Sequence, residues 1–109
     1  MHGFHITFFT QQDRRHDGRA LPDWLVETAR ALGIPGATVL LGAEGFGHQR
    51  QIHSARFFEL ADQPVEVTMV ASADDTERLF AYLREQHLHL FYARTPVEFG
   101  NVEDDDLLS

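Results

Sequence analysis

Hydrophobic and polar positions alternate along this chain with a period that changes, and the changes mark out its elements. The run His5-Ile6-Thr7-Phe8-Phe9 is β-branched and aromatic, and predicts a strand ending at the polar cluster from Gln11 to Gly18. Leu21, Trp24, Leu25, Thr28, Ala29 and Leu32 then recur at three- and four-residue spacing. That spacing predicts a helix, with Pro22 tolerated in its first turn and Gly33 stopping it. Gly36 opens a second strand, Ala37-Thr38-Val39-Leu40-Leu41, whose lack of polar alternation predicts burial on both faces. A glycine-rich polar stretch, Gly42 to Ser54, follows, and the chain extends again from Ala55 to Leu60.

After a break at Asp62-Gln63-Pro64, the segment Val65-Glu66-Val67-Thr68-Met69 alternates cleanly as a strand. Pro64 cannot donate to a ladder, which predicts a bulge or an edge there. Ser72 and Asp75 have the spacing of a helix N-terminal cap, and Leu79, Phe80 and Leu83 form the buried stripe of a second helix. Leu88 to Val97 reads as the last strand. The order β-α-β-β-α-β predicts an α+β, ferredoxin-like domain over residues 1–100, with two helices on one face of a four-stranded antiparallel sheet. No helix is left for the other face, and the nine phenylalanines suit its burial by oligomerisation. Residues 101–109, with Glu103, Asp104, Asp105 and Asp106, are expected to form an acidic, disordered tail.

Composition narrows the function classes. A chain of 109 residues is long enough for one core. The formal net charge is −8 and lysine is absent, so no nucleic-acid partner is expected, because duplex binding neutralises phosphates with clustered cations. A small anion remains compatible, since a pocket can be locally positive within an acidic protein. The absence of cysteine removes disulfides, thiolate metal sites and cysteine nucleophiles. No run approaches the roughly 18 apolar residues of a membrane span, and MHGFHITFF carries neither basic leader nor cleavage site. A cytoplasmic protein is expected.

The stretch Gly42-Ala43-Glu44-Gly45-Phe46-Gly47 follows a strand, but its spacing is GxxGxG and another strand comes after it. A dinucleotide fingerprint needs GxGxxG running into a helix, so that reading fails. Two readings stay open: a hairpin that needs glycines to turn, or a backbone that approaches a ligand closely and cradles an anion with bare N–H groups.

These residues carry a resemblance. GIPGATVLLGAEGFGHQRQIHSARFFEL, from Gly33 to Leu60, resembles the PII-like bacterial proteins of domain-of-unknown-function family 190. HDGRALPDWLVETARALGI upstream and DQPVEVTMV downstream are similar to the same family, so the likeness spans roughly residues 4 to 99. The GFG-x-Q run more distantly resembles the base of the long T-loop in PII signalling proteins. The resemblance implies a ferredoxin-like fold closed into a homotrimer, with an adenine nucleotide (AMP, ADP or ATP) bound in clefts between subunits. It also implies regulation of a partner channel, transporter or enzyme. Gly45 and Gly47 match the glycines that approach phosphate in PII, and Gln49 matches the glutamine that contacts metal and 2-oxoglutarate.

Departures from PII are specific. Where PII has a glycine-rich basic loop around the phosphates, this chain has Arg84-Glu85-Gln86-His87-Leu88-His89, with no glycine or lysine. That favours AMP, ADP or a cyclic dinucleotide over a triphosphate held in the PII manner. The segment from His48 to Ser54 is much shorter than a PII T-loop and has no tyrosine to uridylylate, and Leu41 stands where the family often has arginine. Arg50 and Arg56 near the glycines, and Arg14, Arg15 and Arg19 in the first loop, are the cations available for an anion, because the guanidinium fork binds phosphate bidentately. Val39 and Leu40 are expected to supply an apolar wall for a base. The effector site expected is therefore Gly45, Gly47, Gln49, Arg50 and Arg56 with Val39 and Leu40, and no metal or further cofactor is required.

Two alternatives have their own signals. Seven histidines suggest a divalent-metal-binding trimer resembling the CutA proteins, with His87 and His89 sharing one face of the last strand as ligands. A small cofactor-free ferredoxin-fold enzyme is the other. For that reading Glu44 is the only base at a suggestive place, and the neighbours His53 and Ser54 point to opposite faces of a strand and make no triad. The expectation is a binding protein and not an enzyme.

Overall fold

A computed structural model describes residues 1–42, 45–46, 52–53 and 64–103. Ten elements follow one another: β1 (His2–Gln11), β2 (Arg15–His16), β3 (Arg19–Ala20), α1 (Leu21–Ala31), β4 (Ala37–Leu41), β5 (Gly45–Phe46), β6 (Ile52–His53), β7 (Pro64–Ser72), α2 (Ala73–Glu85) and β8 (Phe91–Glu98). The main sheet has the order β4-β7-β1-β8 and every pairing is antiparallel. With the four long strands and two helices, this is the ferredoxin-like arrangement the hydrophobic pattern predicts.

Strand alternation decides which face the helices cover. Ile6 and Phe8 on β1 stand opposite Met69 and Val67 on β7, and all four are buried. Leu21, Trp24, Leu25 and Ala29 from α1 and Leu79 and Leu83 from α2 close over them. Phe80 adds a tilted ring contact to Phe8, 5.8 Å between centroids. At full burial each such aliphatic or aromatic side chain contributes about 1.5–3 kcal/mol, so this layer holds the domain together.

Local chemistry sets the ends of the helices. Pro22 sits in the first turn of α1, where a missing N–H costs nothing, and Gly33 follows the helix at φ +85°. Ser72 caps α2, its hydroxyl accepting from the Asp75 backbone N–H at 3.1 Å. At Gly3 the backbone of β7 comes so close that a Cβ would lie 2.0 Å from the Ala71 carbonyl oxygen. Only glycine fits there.

Three expectations need correction. β4 is an edge strand and not buried on both faces: Thr38 to Leu41 are exposed, because β7 pairs with one side only and nothing among the described residues covers the other. Pro64 is neither at an edge nor in a bulge. It opens the inner strand β7 opposite Gln11, and a first position tolerates proline because its carbonyl, not its N–H, is used by Gly42 at 2.9 Å. The last strand begins at Phe91, not Leu88, because His87 turns the chain with φ +55°. The predicted extension from Ala55 to Leu60 lies outside the described residues, as do residues 104–109 of the expected tail.

Candidate functional site at one end of the sheet

Strand register gathers the chemistry at one end. Gln11 closes β1 opposite Pro64 at the start of β7, Leu41 closes β4 opposite Val65, and Phe91 opens β8 opposite Phe9. The first loop, the glycine-rich stretch and the α2–β8 turn therefore all leave the sheet on the same side. Gly42 anchors the base of the glycine stretch through its bond to the Pro64 carbonyl, with a would-be Cβ only 3.0 Å from the Pro64 ring. Within the stretch, Gly45 pairs with His53 and Phe46 with Ile52, a short ladder that agrees with the hairpin reading of the glycines. Gly47, Gln49, Arg50 and Arg56 lie outside the described residues.

Val39 and Leu40 do not form a common wall. Val39 stands opposite the buried Val67 on the helix side, whereas Leu40 stands opposite Glu66 on the open side. One flat base can pack on one of them, not on both. The alternative metal pair separates as well. His87 lies in a turn and His89 precedes β8, so the two do not alternate on a strand, and among the described residues no group of three metal-ligating side chains converges.

The first loop proves to be a built element. Asp17 and Gly18 take positive φ, +52° and +76°, and turn β2 back onto β3 as a two-residue hairpin. The Asp-Gly dipeptide was the signal that could have revealed it. The hairpin is docked on the α2–β8 turn. The Arg14 guanidinium donates to the His89 carbonyl, and the Leu21 N–H donates to the Arg14 carbonyl at 2.7 Å. His16 Nε2 meets Gln86 Oε1 at 3.0 Å and its ring lies edge-on to Trp24, which in turn stacks on Tyr82.

Two further surfaces lie outside this end, an arginine-covered edge that the sequence did not reveal and the helix-free face that it did. Arg94 lies over the rings of Phe4 and Phe80, its Cζ 4.7 and 4.9 Å from their centroids, and shields the helix-side aromatics at the β8 edge. The helix-free face of the sheet presents Leu40, Phe9 and Phe91 in one row and Thr38, Thr68 and Thr7 in the next. His5 and Glu66 are the only titratable groups of the main strands on it.

Together, the sheet order, the two helices on one face and the loops gathered at one end define a PII-like fold. A profile of the DUF190 family, described as "Uncharacterized ACR", matches residues 3–99, and the chain belongs to this family. A curated UPF0166 protein of Aquifex aeolicus (strain VF5) is 26% identical over 83 residues, 75% of this chain and 79% of the relative. Among solved structures, CPII from Thiomonas intermedia K12, a nitrogen regulatory PII-like protein bound to ADP, AMP and bicarbonate, superposes with a TM-score of 0.67. The identity there is 9%, over 93% of this chain and 91% of that one. A putative PII-like signalling protein from Thermus thermophilus gives a TM-score of 0.64 at 18% identity, covering 96% and 94% of the two chains.

Proposed function

We propose that this chain is a cytoplasmic PII-like regulatory protein, a homotrimer that binds an adenine nucleotide between subunits and signals its ligand state to a partner channel, transporter or enzyme. The reading rests on one observation above the others. The glycine-rich stretch, the arginine-bearing hairpin and the α2–β8 turn leave the same end of the sheet. Close backbone approach and guanidinium forks are what a nucleotide phosphate needs. The fold likeness to CPII, solved with ADP and AMP, supports the choice of ligand.

Exposed apolar surface supports assembly. Leu40 and Phe91 are about half exposed on the helix-free face, and a second and third copy would remove them from water. In this reading Gly45, Gly47 and Gln49 line the phosphate path, Arg50 and Arg56 neutralise it, and Val39 or Leu40 packs on the base. The chain binds and reports; no step of catalysis is assigned to it.

A thermal-shift screen tests the proposal. AMP, ADP or ATP at a hundredfold excess over Kd should stabilise the native protein by about 2.7 kcal/mol. Arg50→Ala and Arg56→Ala should remove the shift. A shift with divalent cations and none with nucleotides would replace this reading with a metal-binding one.

A further inference from the structure

The seven described arginines divide by what they touch. Arg30 pairs with Glu27 at 3.7 Å and Arg78 with Asp75, each within its own helix. Arg94 lies over aromatic rings. The other four, Arg14, Arg15, Arg19 and Arg84, form no ion pair among the described residues, and all stand at the end of the sheet that carries the glycine stretch. Asp13, Asp17, Asp23, Glu66 and Glu85 share that end, with Asp17 3.6 Å from His16. The opposite end is acidic: Glu27, Asp74, Asp75, Glu77 and Glu98 outnumber Arg30 and Arg78. An anion approaching this acidic protein meets least repulsion at the hairpin end.

Exposed arginines alone are ordinary; their mounting here is not. His16 and Arg19 share one face of the hairpin, because they stand directly opposite each other in its ladder, and Arg14 lies just before β2. The hairpin is docked through His16, which holds Gln86, and through Arg14 at its base, which holds the His89 carbonyl. Arg19 is thus carried on a ribbon fixed at both flanks, and it makes no hydrogen bond or ion pair of its own among the described residues. Arg15 points the other way and folds back onto the Gly18 carbonyl at 2.6 Å.

We propose that the β2–β3 hairpin is a second phosphate-binding element beside the glycine stretch, with Arg19 as the fork that takes phosphate oxygens and Arg14 as a further cation, held in place by the His89 carbonyl. The proposal rests on the adenine-nucleotide reading and extends it. The α2–β8 turn has neither lysine nor glycine, and the hairpin clamped to it supplies the charge that the turn lacks. Arginine on a pre-fixed ribbon loses less backbone freedom on binding than a cation on a flexible loop does.

Calorimetric titration at low ionic strength with ADP, adenosine and inorganic pyrophosphate separates the two ideas. Arg19→Gln, which breaks no contact in the fold, should weaken ADP and pyrophosphate about tenfold and leave adenosine unchanged. Arg14→Gln should do the same, and its folding is checked by circular dichroism. Arg30→Gln makes the same charge change at the opposite end and should alter neither ligand by more than about twofold. ADP binding that survives both Arg19→Gln and Arg14→Gln unchanged overturns the hairpin proposal and leaves the nucleotide reading intact. Pyrophosphate binding lost in these variants, with no nucleotide bound by the unmodified protein, keeps the hairpin as an anion site and removes the nucleotide reading. Binding of none of the three probes removes both.

Discussion

Removing one ring, by His16→Ala, tests whether specific contacts hold the hairpin on the body of the protein. His16 lies edge-on to Trp24 with centroids 4.5 Å apart, its Nε2–H donates to Gln86 Oε1 at 3.0 Å, and its side chain is only 17% exposed. The aromatic pair is worth about 0.5–1.5 kcal/mol beyond area burial. A net hydrogen bond adds about 0.5–1.5 kcal/mol. Loss of the ring should therefore cost about 1–3 kcal/mol in urea unfolding at fixed protein concentration. Trp24 is the sole tryptophan and touches the ring, so its fluorescence reports the change directly. A double-mutant cycle with Gln86→Ala isolates the hydrogen bond, with an expected coupling of about 0.5–1.5 kcal/mol. Hydrogen exchange supplies the local readout: the Leu21 N–H, bonded to the Arg14 carbonyl, should lose protection in His16→Ala before the core amides do. Zero coupling, with Leu21 protection unchanged, would mean that the ring does not clamp the hairpin.

Three other substitutions probe the fold. Thr76 is fully buried in α2 and its hydroxyl has no partner among the described residues, so Thr76→Val should stabilise by about 1 kcal/mol in urea unfolding, and destabilisation would reveal a bond to that hydroxyl. Gly3→Ala must push Cβ into the Ala71 carbonyl and should cost about 1–3 kcal/mol or more by the same assay. His87 occupies the left-handed region after α2, so His87→Gly should raise stability by about 0.5–1 kcal/mol. A loss there would show that the imidazole makes a contact worth more than the strain.

Periodicity carried most of the fold because each long element buries one face. The stripe of α1, the alternation of β7 and the Ser72 cap were all legible, since burial and orphan N–H groups demand those residue types at those spacings. What misled was β4. An apolar run looks the same whether a strand is sandwiched inside a fold or lies at the exposed edge of its sheet, and Ala37 to Leu41 is the second kind here. The hairpin was hidden in a polar cluster because two-residue strands have no period to read, although Asp17-Gly18 announces its turn. His87 and His89 looked like partners only while the strand was drawn too early. The proposed site can be read by residue type only as a set of candidates, glycine and arginine, because which arginine is mounted and which is paired depends on contacts far apart in sequence, such as Arg14 to His89.

Calorimetric titration of ADP into the unmodified protein asks whether this acidic domain binds an adenine nucleotide at the loop-bearing end of its sheet. Saturable binding is expected, approaching one nucleotide per protomer, displaced by AMP and weakened by rising salt as the arginine contacts are screened. No saturable heat from ADP, AMP or ATP up to millimolar concentration, in a protein that is folded and oligomeric, would contradict it.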